Sequence, residues 1–210
     1  MKLSDQRREY RDRPLRRVNL PDSPWDLLQK WLDEATQAGA DLPNAMVLAT
    51  CNEDGQPSTR MVLLKGIQEG ALVFYTDYES LKAQDMLSNS KVSLNFFWPL
   101  FDRQISILGC AERCSRAQSE AYFRGRPRES QLSALVSEQS AVVTGREELE
   151  ETVRRQAALY EGKEIPCKES WGGYLVFPTE FVFWQGRLNR LHDRFRYSKG
   201  EPWVLERLSP

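Results

Sequence analysis

Histidine is almost missing from this chain. Among 210 residues there is one, His192, beside four cysteines, Cys51, Cys110, Cys114 and Cys167. That ligand supply is too thin and too scattered for a structural or catalytic zinc site, so no metal is expected. A Ser/His/Asp hydrolase would have to use His192, yet no G-x-S-x-G elbow occurs. Neither G-x-G-x-x-G nor G-x-x-x-x-G-K-[ST] occurs, which removes the glycine-rich phosphate loops. No apolar run approaches the roughly 18 residues of a membrane span. Charge of one sign is also lacking: Lys and Arg number 29 against 30 Asp and Glu, a formal net charge of -1. This balance argues against bulk electrostatic binding to nucleic acid. The opening stretch MKLSDQRREYRDRPLRR has no apolar signal core, so reduced thiols and a cytoplasmic location are expected.

What is present reads as one β-rich domain with helical additions. At 24.3 kDa, 40% hydrophobic and 28% charged, the chain suits one ordinary globular unit. Residues 1–20 hold seven cations against three acids, a local +4, and form a basic, mobile arm ahead of a domain at 21–210. Ser23-Pro24 is a helix start, with Trp25, Leu28, Trp31, Leu32 and Ala35 recurring at helical spacing and Gly39 as its stop. From residue 45 the period changes to that of strands. AMVLAT and STRMVLLK flank an NEDG turn, and ALVFYT, KVSLNFFW and RQISILGCAERC follow. SLKAQDMLSNS reads as a short helix. Ser115 with Gln118 forms a capping-box pattern, Pro127 separates two helices, and 145–161 is a charged amphipathic helix. GGYLVF, EFVFWQ, RLHDRFRY and WVLERL close the chain as strands. The absence of βαβ alternation points to an antiparallel barrel with helices outside it, an α+β fold.

Several polar residues need a reason. Arg60 and Lys65 flank MVLL, and on a regular strand they face opposite sides. They serve two different anions or sit at two wet strand ends. Arg190, His192 and Arg194, spaced by two, would line one face of a strand and repel one another unless an anion lies nearby. Tyr122 and Arg126 share a helix face, and Ser130 follows at the next helix start, a set suited to phosphate or to ordinary capping. The FVFWQG strand offers aromatic surface to a flat heterocycle.

These segments resemble the pyridoxine (pyridoxamine) 5′-phosphate oxidase family. The matching strings are RREY, RMVLLKG, FYT, RQISILG, YFRGRPRESQ, SEQS, SWGGY, FWQG, NRLHDRF and the terminal WVLERLSP, in family order along essentially the whole chain. The resemblance implies an FMN-binding split antiparallel β-barrel with peripheral helices, working as a homodimer with FMN at the subunit interface. It implies oxidation of pyridoxamine or pyridoxine 5′-phosphate to pyridoxal 5′-phosphate, with O2 as acceptor, H2O2 as product and ammonia released from the amine.

Carried over residue by residue, the FMN contacts are Arg60, Met61, Val62, Leu63, Leu64, Lys65, Tyr75, Thr76, Lys82, Gln104, Trp184 and Arg194. Gln139 and Ser140 complete that site from the other subunit. Lys65, Tyr122, Arg126 and Ser130 would hold the substrate phosphate. Arg190, Leu191 and His192 would face the substrate ring, with Arg190 and His192 as the catalytic pair. Arg7, Arg8, Glu9 and Tyr10 would belong to the arm that covers bound substrate. One position departs from the family pattern: Leu81 precedes Lys82 where an Arg is common. Losing a charge-assisted hydrogen bond there would cost about 1.5–3 kcal/mol. Other readings are a flavin reductase or oxidase on the same barrel, or a non-enzymatic pyridoxal 5′-phosphate carrier.

Overall fold

The computed structural model describes residues 9–210, so Arg7 and Arg8 lie outside the described residues. Among these residues, nine strands form one strongly curled antiparallel sheet. They are β1 (Ala45–Cys51), β2 (Pro57–Leu63), β3 (Gly66–Gln68), β4 (Ala71–Asp77), β5 (Lys91–Trp98), β6 (Arg103–Arg113), β7 (Trp171–Gln185), β8 (Asp193–Ser198) and β9 (Val204–Leu208). The main path runs β2-β1-β5-β6-β7-β4-β3, and β8 leaves it from β7 to pair with β9. β7 is the hub. Its first half pairs with β4, Asp77 opposite Trp171, and its second half pairs with β8, Gln185 opposite Asp193. One edge of β7 therefore carries two separate strands, which splits the barrel. The two stretches read from the sequence as GGYLVF and EFVFWQ are this single strand. It passes through Pro178 because β6 shifts register between Leu108 and Gly109 opposite it. Gly109 is required there, since a Cβ would lie 2.5 Å from the Phe177 carbonyl oxygen.

Among the described residues, five α-helices decorate the sheet: α1 (Pro24–Gln37), α2 (Leu81–Ser88), α3 (Arg116–Arg124), α4 (Arg128–Val136) and α5 (Arg146–Leu159). α1 begins as expected, with the Ser23 hydroxyl accepting from the Trp25 N–H and Pro24 in the first turn. Its apolar stripe, Leu27, Leu28, Trp31 and Ala35, is buried in the main core with Phe96, Phe181 and Phe183. Trp31 packs edge-on to Phe183 with ring centroids 5.3 Å apart, so the helix tryptophans are core. Each such buried side chain stabilises the fold by about 1.5–3 kcal/mol. The capping box at α3 forms, with Ser115 Oγ accepting from the Gln118 N–H and Gln118 Oε1 from the Ser115 N–H. α3 and α4 break at Pro127 and enclose a second, smaller core of Phe123, Leu132, Ala134, Ile165 and Trp171.

The RLHDRFRY stretch departs from its expected form. β8 starts only at Asp193, Leu188–Arg190 is a 3-10 turn, and Asn189 and Arg190 have φ of 55° and 61°. Arg190, His192 and Arg194 therefore do not line one strand face. β7 ends at Gln185, and residues 187–192 have no neighbouring strand to hold them extended. Residues 9–20 of the basic arm lie against the barrel. The Arg11 N–H donates to Asp102 Oδ2 at 3.1 Å, the Leu15 N–H to Asp193 Oδ2 at 3.0 Å, and Arg17 Nη1 to the Leu205 carbonyl at 2.8 Å. Among the described residues, no helix is long and apolar enough to cross a membrane.

Candidate functional site

The expected site residues divide into two groups at opposite ends of β7. The first group lines a cavity of about 850 Å³ between β2, β4, α3 and α4. A volume of this size accommodates a ligand of cofactor dimensions. Met61, Val62, Leu63 and Lys65 form one wall, Tyr75, Thr76 and Lys82 a second, and Tyr122, Arg126 and Ser130 a third, with Gln139 and Trp171 closing it. β2 supplies the first wall because its strand ends at Leu63, and Lys65 is fixed by its N–H donating to the Val73 carbonyl at 2.7 Å. Leu64, expected at the flavin, instead points into the main core. Arg60 turns away from the cavity wall. It donates to Thr50 Oγ1 at 2.6 Å and to Ser58 Oγ at 2.7 Å, with Asp85 at 3.8 Å.

Lys82 is the most constrained cation of this group. It is 7% exposed and donates to Thr76 Oγ1 at 3.1 Å and Gln139 Oε1 at 2.9 Å. It makes no ion pair among the described residues; Asp77, the nearby carboxylate, is held by Lys168 at 3.3 Å. Burial, reinforced by the Arg60 charge, pushes the Lys82 ammonium down to about 8. Gln139, expected from a second subunit, reaches Thr76 and Lys82 within its own chain. Ser140 sits beside it with φ 78° and accepts from the Leu81 N–H at 3.4 Å. The Leu81 side chain is a hydrocarbon, 60% exposed, and adds no charge next to Lys82; the cation beside Lys82 is Arg60.

Opposite Lys82, Tyr122 stacks on Tyr75 with centroids 3.7 Å apart and planes 7° from parallel. Trp171 continues the stack, 5.5 Å from Tyr75. The guanidinium of Arg126 lies 4.7 Å over the Trp171 ring, and its Nη1 is buried with no hydrogen-bond partner. Burial raises the Tyr75 hydroxyl to about 12 and also raises Tyr122, so both remain neutral donors. Burial lowers Arg126 from its ordinary value. A buried guanidinium nitrogen without a partner is costly unless an acceptor arrives. Together with the buried ammonium and the Thr76 and Ser130 hydroxyls, it makes the cavity a receptor for anionic oxygens.

The second group lies at the other end of β7. Gln104, Trp184 and Arg194 are direct register partners across β6, β7 and β8, forming one cross-strand row. Of the aromatics in FVFWQG, Phe181 and Phe183 are buried in the core and only Trp184 stands in this row. Next to it, His192 packs against Trp184 at 4.7 Å and edge-on to Tyr10 at 5.2 Å. Arg190 lies 5.7 Å over the Tyr10 ring and makes no ion pair among the described residues. Glu9 and Leu191 are exposed. The Arg187 N–H donates to His192 Nδ1 at 3.1 Å, so the neutral ring carries its proton on Nε2. Burial and the Arg190 charge hold the imidazole below its ordinary value. Three features here escaped sequence reasoning: Asp193 as a buried acceptor, Arg187, and Trp171. Nothing local in the sequence marks them, because each acts through partners distant along the chain.

The two groups are far apart within one chain. Trp171 and Trp184 stand on the same strand, roughly 40 Å apart along an extended chain.

Comparison with known proteins covers both groups. Residues 32–159, which carry most of the cavity lining, match the family described as pyridoxamine 5′-phosphate oxidase, and residues 171–210 match a pyridoxine 5′-phosphate oxidase C-terminal dimerisation region. The chain is 51% identical over 188 residues to the pyridoxine/pyridoxamine 5′-phosphate oxidase of Leptospira biflexa, covering 89% of each. It is 47% identical to that of Salinibacter ruber, covering 100% of this chain and 99% of the relative. Among solved structures, PhzG from Burkholderia lata, in complex with tetrahydrophenazine-1-carboxylic acid, superposes with a TM-score of 0.87 at 29% identity, covering 92% of this chain and 95% of that one. A Nostoc punctiforme protein described as pyridoxamine 5′-phosphate oxidase-related and FMN-binding shares the fold, with a TM-score of 0.73 at 16% identity, covering 90% and 98%. A split barrel, an anion-receiving cavity and near-full-length identity to named oxidases agree, and the chain is an enzyme of the pyridoxamine 5′-phosphate oxidase family.

Proposed function

We propose that the protein oxidises pyridoxamine 5′-phosphate and pyridoxine 5′-phosphate to pyridoxal 5′-phosphate, with flavin mononucleotide as cofactor. The observation that carries this reading is a pair of cations in one cavity, the buried Lys82 and the half-buried Arg126 with its Nη1 enclosed, left without carboxylate partners among the described residues. Two such centres suit two phosphoesters, one on the cofactor and one on the substrate. Lys82, with Thr76, Gln139 and Ser140 beside it and Arg60 behind, is assigned to the cofactor phosphate. Lys65, Tyr122, Arg126 and Ser130 are assigned to the substrate phosphate. When bound, the flavin supplies a two-electron acceptor that O2 regenerates. The amine, O2 and water then give aldehyde, ammonia and H2O2; the alcohol and O2 give aldehyde and H2O2.

The chain's own residues bind and orient. A grip on the phosphate, remote from the reacting carbon, aligns the substrate ring, so its binding energy is spent on position. Gln104, Trp184 and Arg194 are assigned to the flavin ring, and Arg190 and His192 to the substrate ring. His192 offers an Nε2–H and Arg190 an unpaired guanidinium, both suited to charge that changes on the substrate. The arm, residues 1–20, is assigned as the cover over the domain at 21–210. Because the two groups stand so far apart on β7, this assignment calls for two copies, each lending its arm end to the other's cavity. The match to a dimerisation region at 171–210 supports a homodimer with the cofactor at the interface.

The test is an absorbance spectrum of purified protein, followed by anaerobic addition of pyridoxamine 5′-phosphate. Bound flavin that bleaches on addition is the expected result. Arg190→Ala should stay yellow and lose turnover by about a hundredfold, whereas Lys65→Ala should mainly raise KM. Colourless protein that takes up no flavin mononucleotide overturns the reading. The likeness to PhzG favours a second reading, a carboxylated polycyclic substrate in the same cavity. Turnover of such an acid with none of the phosphorylated amine would select it.

A further inference from the structure

The loop carrying Arg190 and His192 is held from behind by an ion chain that also reaches the arm. Arg187 Nη1 meets Asp193 Oδ2 at 2.7 Å, while its Nη2 and Nε meet Asp12 Oδ1 at 2.7 and 2.9 Å. Asp193 is buried, and it also takes the Leu15 N–H on Oδ2 at 3.0 Å and the Arg207 guanidinium on Oδ1. The neighbouring residue, Gly186, is a seat for the arm: a Cβ there would lie 2.8 Å from Tyr10 Cδ1 and 2.9 Å from Cγ. Its N–H donates to the Asp102 carbonyl at 2.7 Å, and Asp102 Oδ2 receives the Arg11 N–H. Residues 10–15 of the arm are thus fastened on both sides of the Gly186–Arg187 peptide. The N–H of that peptide is the donor to His192 Nδ1.

We infer that Arg187 is a positioning residue for His192: its side chain clasps the arm through Asp12 while its backbone N–H fixes the imidazole, so arm docking and ring orientation are one event. A guanidinium held by two carboxylates is a rigid fork, and rigidity of the side chain fixes the backbone that bears it. If Asp12 is lost, one side of the fork goes free and Tyr10 can leave Gly186. The Gly186–Arg187 peptide is then no longer pressed into place, and Nδ1 loses its one donor. The imidazole can then carry its proton on either nitrogen. This deepens the function proposed above, since its consequence for turnover rests on His192 facing the substrate.

The test exploits the single histidine of the chain. Histidine-specific 15N labelling of the full-length, flavin-loaded protein gives one imidazole, whose two nitrogen shifts report the tautomer directly at about pH 8, above the ordinary histidine range. The unmodified chain is expected to show the Nε2–H form. Asp12→Asn, which leaves the Arg187–Asp193 pair intact, should give a mixture of tautomers. It should speed tryptic cleavage after Arg11 about tenfold, and lower kcat/KM about tenfold. Arg187→Ala should produce the same tautomer mixture, with Arg187→Lys between the two. The inference is overturned if either variant frees the arm while the Nε2–H signature persists, or if neither frees it. The nitrogen shifts and the cleavage rate need no turnover, so failure of the proposed oxidase activity would be seen separately.

Discussion

In the cavity, Lys82 lies buried and Arg126 half-buried among hydroxyls, an amide and an indole face, with no carboxylate among the described residues bound to either. At the far end of β7, Arg187 and Arg207 converge on Asp193, and Arg187 also holds Asp12. Both regions use cations on the rim of one sheet, yet one is left open and the other is closed on itself. In the first, desolvation goes uncompensated: burial lowers both Lys82 and Arg126 from their ordinary values. Such a site is pre-arranged for an incoming anion, and the folded chain carries the cost until the anion arrives. In the second, charges cancel locally and the network's effect is mechanical, fastening the arm to the loop of His192. Counting basic residues cannot distinguish the two; only the partners can.

The largest test of the contrast removes the orphan cation. Arg126→Ala should lower kcat/KM for phosphorylated substrate about a hundredfold, the loss of one strong charge-assisted contact. Tryptic cleavage of the arm should not change, because among the described residues no contact of the arm within the chain involves α3 or α4. Steady-state kinetics and a proteolysis time course check both halves. Lys82→Met is next, with flavin affinity expected to fall about thirtyfold by fluorescence titration. It has a second signature. Between pH of about 8 and 10.5 the unfolded chain keeps a proton on Lys82 that the folded, ligand-free chain has lost. Stability of the ligand-free protein should therefore rise with pH across that window, and the rise should vanish in Lys82→Met. Urea midpoints at several pH values measure it.

Local signals were legible in the residues, and long-range ones were not. The Ser23 cap, the Ser115–Gln118 box, the Pro127 break and the hairpin around Gly55 depend on neighbours in sequence, and each formed as expected. The continuity of β7 did not read out, because a strand crosses Pro178 only where Gly109 on β6 gives way. The alternation of Arg190, His192 and Arg194 looked like a strand, but a strand needs a neighbour, and β7 has already ended. Resemblance to a family named the residues of both regions. It did not sort them into two ends of one strand, and composition gave no sign that Arg187 would be paired while Arg126 would not. Pairing depends on which carboxylates the fold brings near, which is tertiary information.

Two milder changes sharpen the contrast from either side. Gly186→Ala puts a Cβ 2.8 Å from the Tyr10 ring and 2.9 Å from Asp102 Cβ, so the arm must shift. Overpacking of this kind corresponds to about a tenfold gain in tryptic cleavage of the arm.

Ser115→Ala acts at the opposite end. It removes the hydroxyl that accepts the Gln118 N–H at 3.2 Å at the start of α3, the helix that bears Tyr122. A lost cap costs about 1 kcal/mol of stability, or about 2–4 °C in the melting midpoint for a domain of this size. Tyr122 should nevertheless keep its place, because its ring is clamped against Tyr75 at 3.7 Å from a different element. KM for the phosphorylated substrate should therefore move less than about twofold, a difference of some 0.4 kcal/mol, while the melting midpoint falls. A large rise in KM without loss of stability would mean that the cap, rather than the aromatic stack, sets the geometry of the anion site. In that case the cavity, too, would be held in place from behind, as the loop of His192 is.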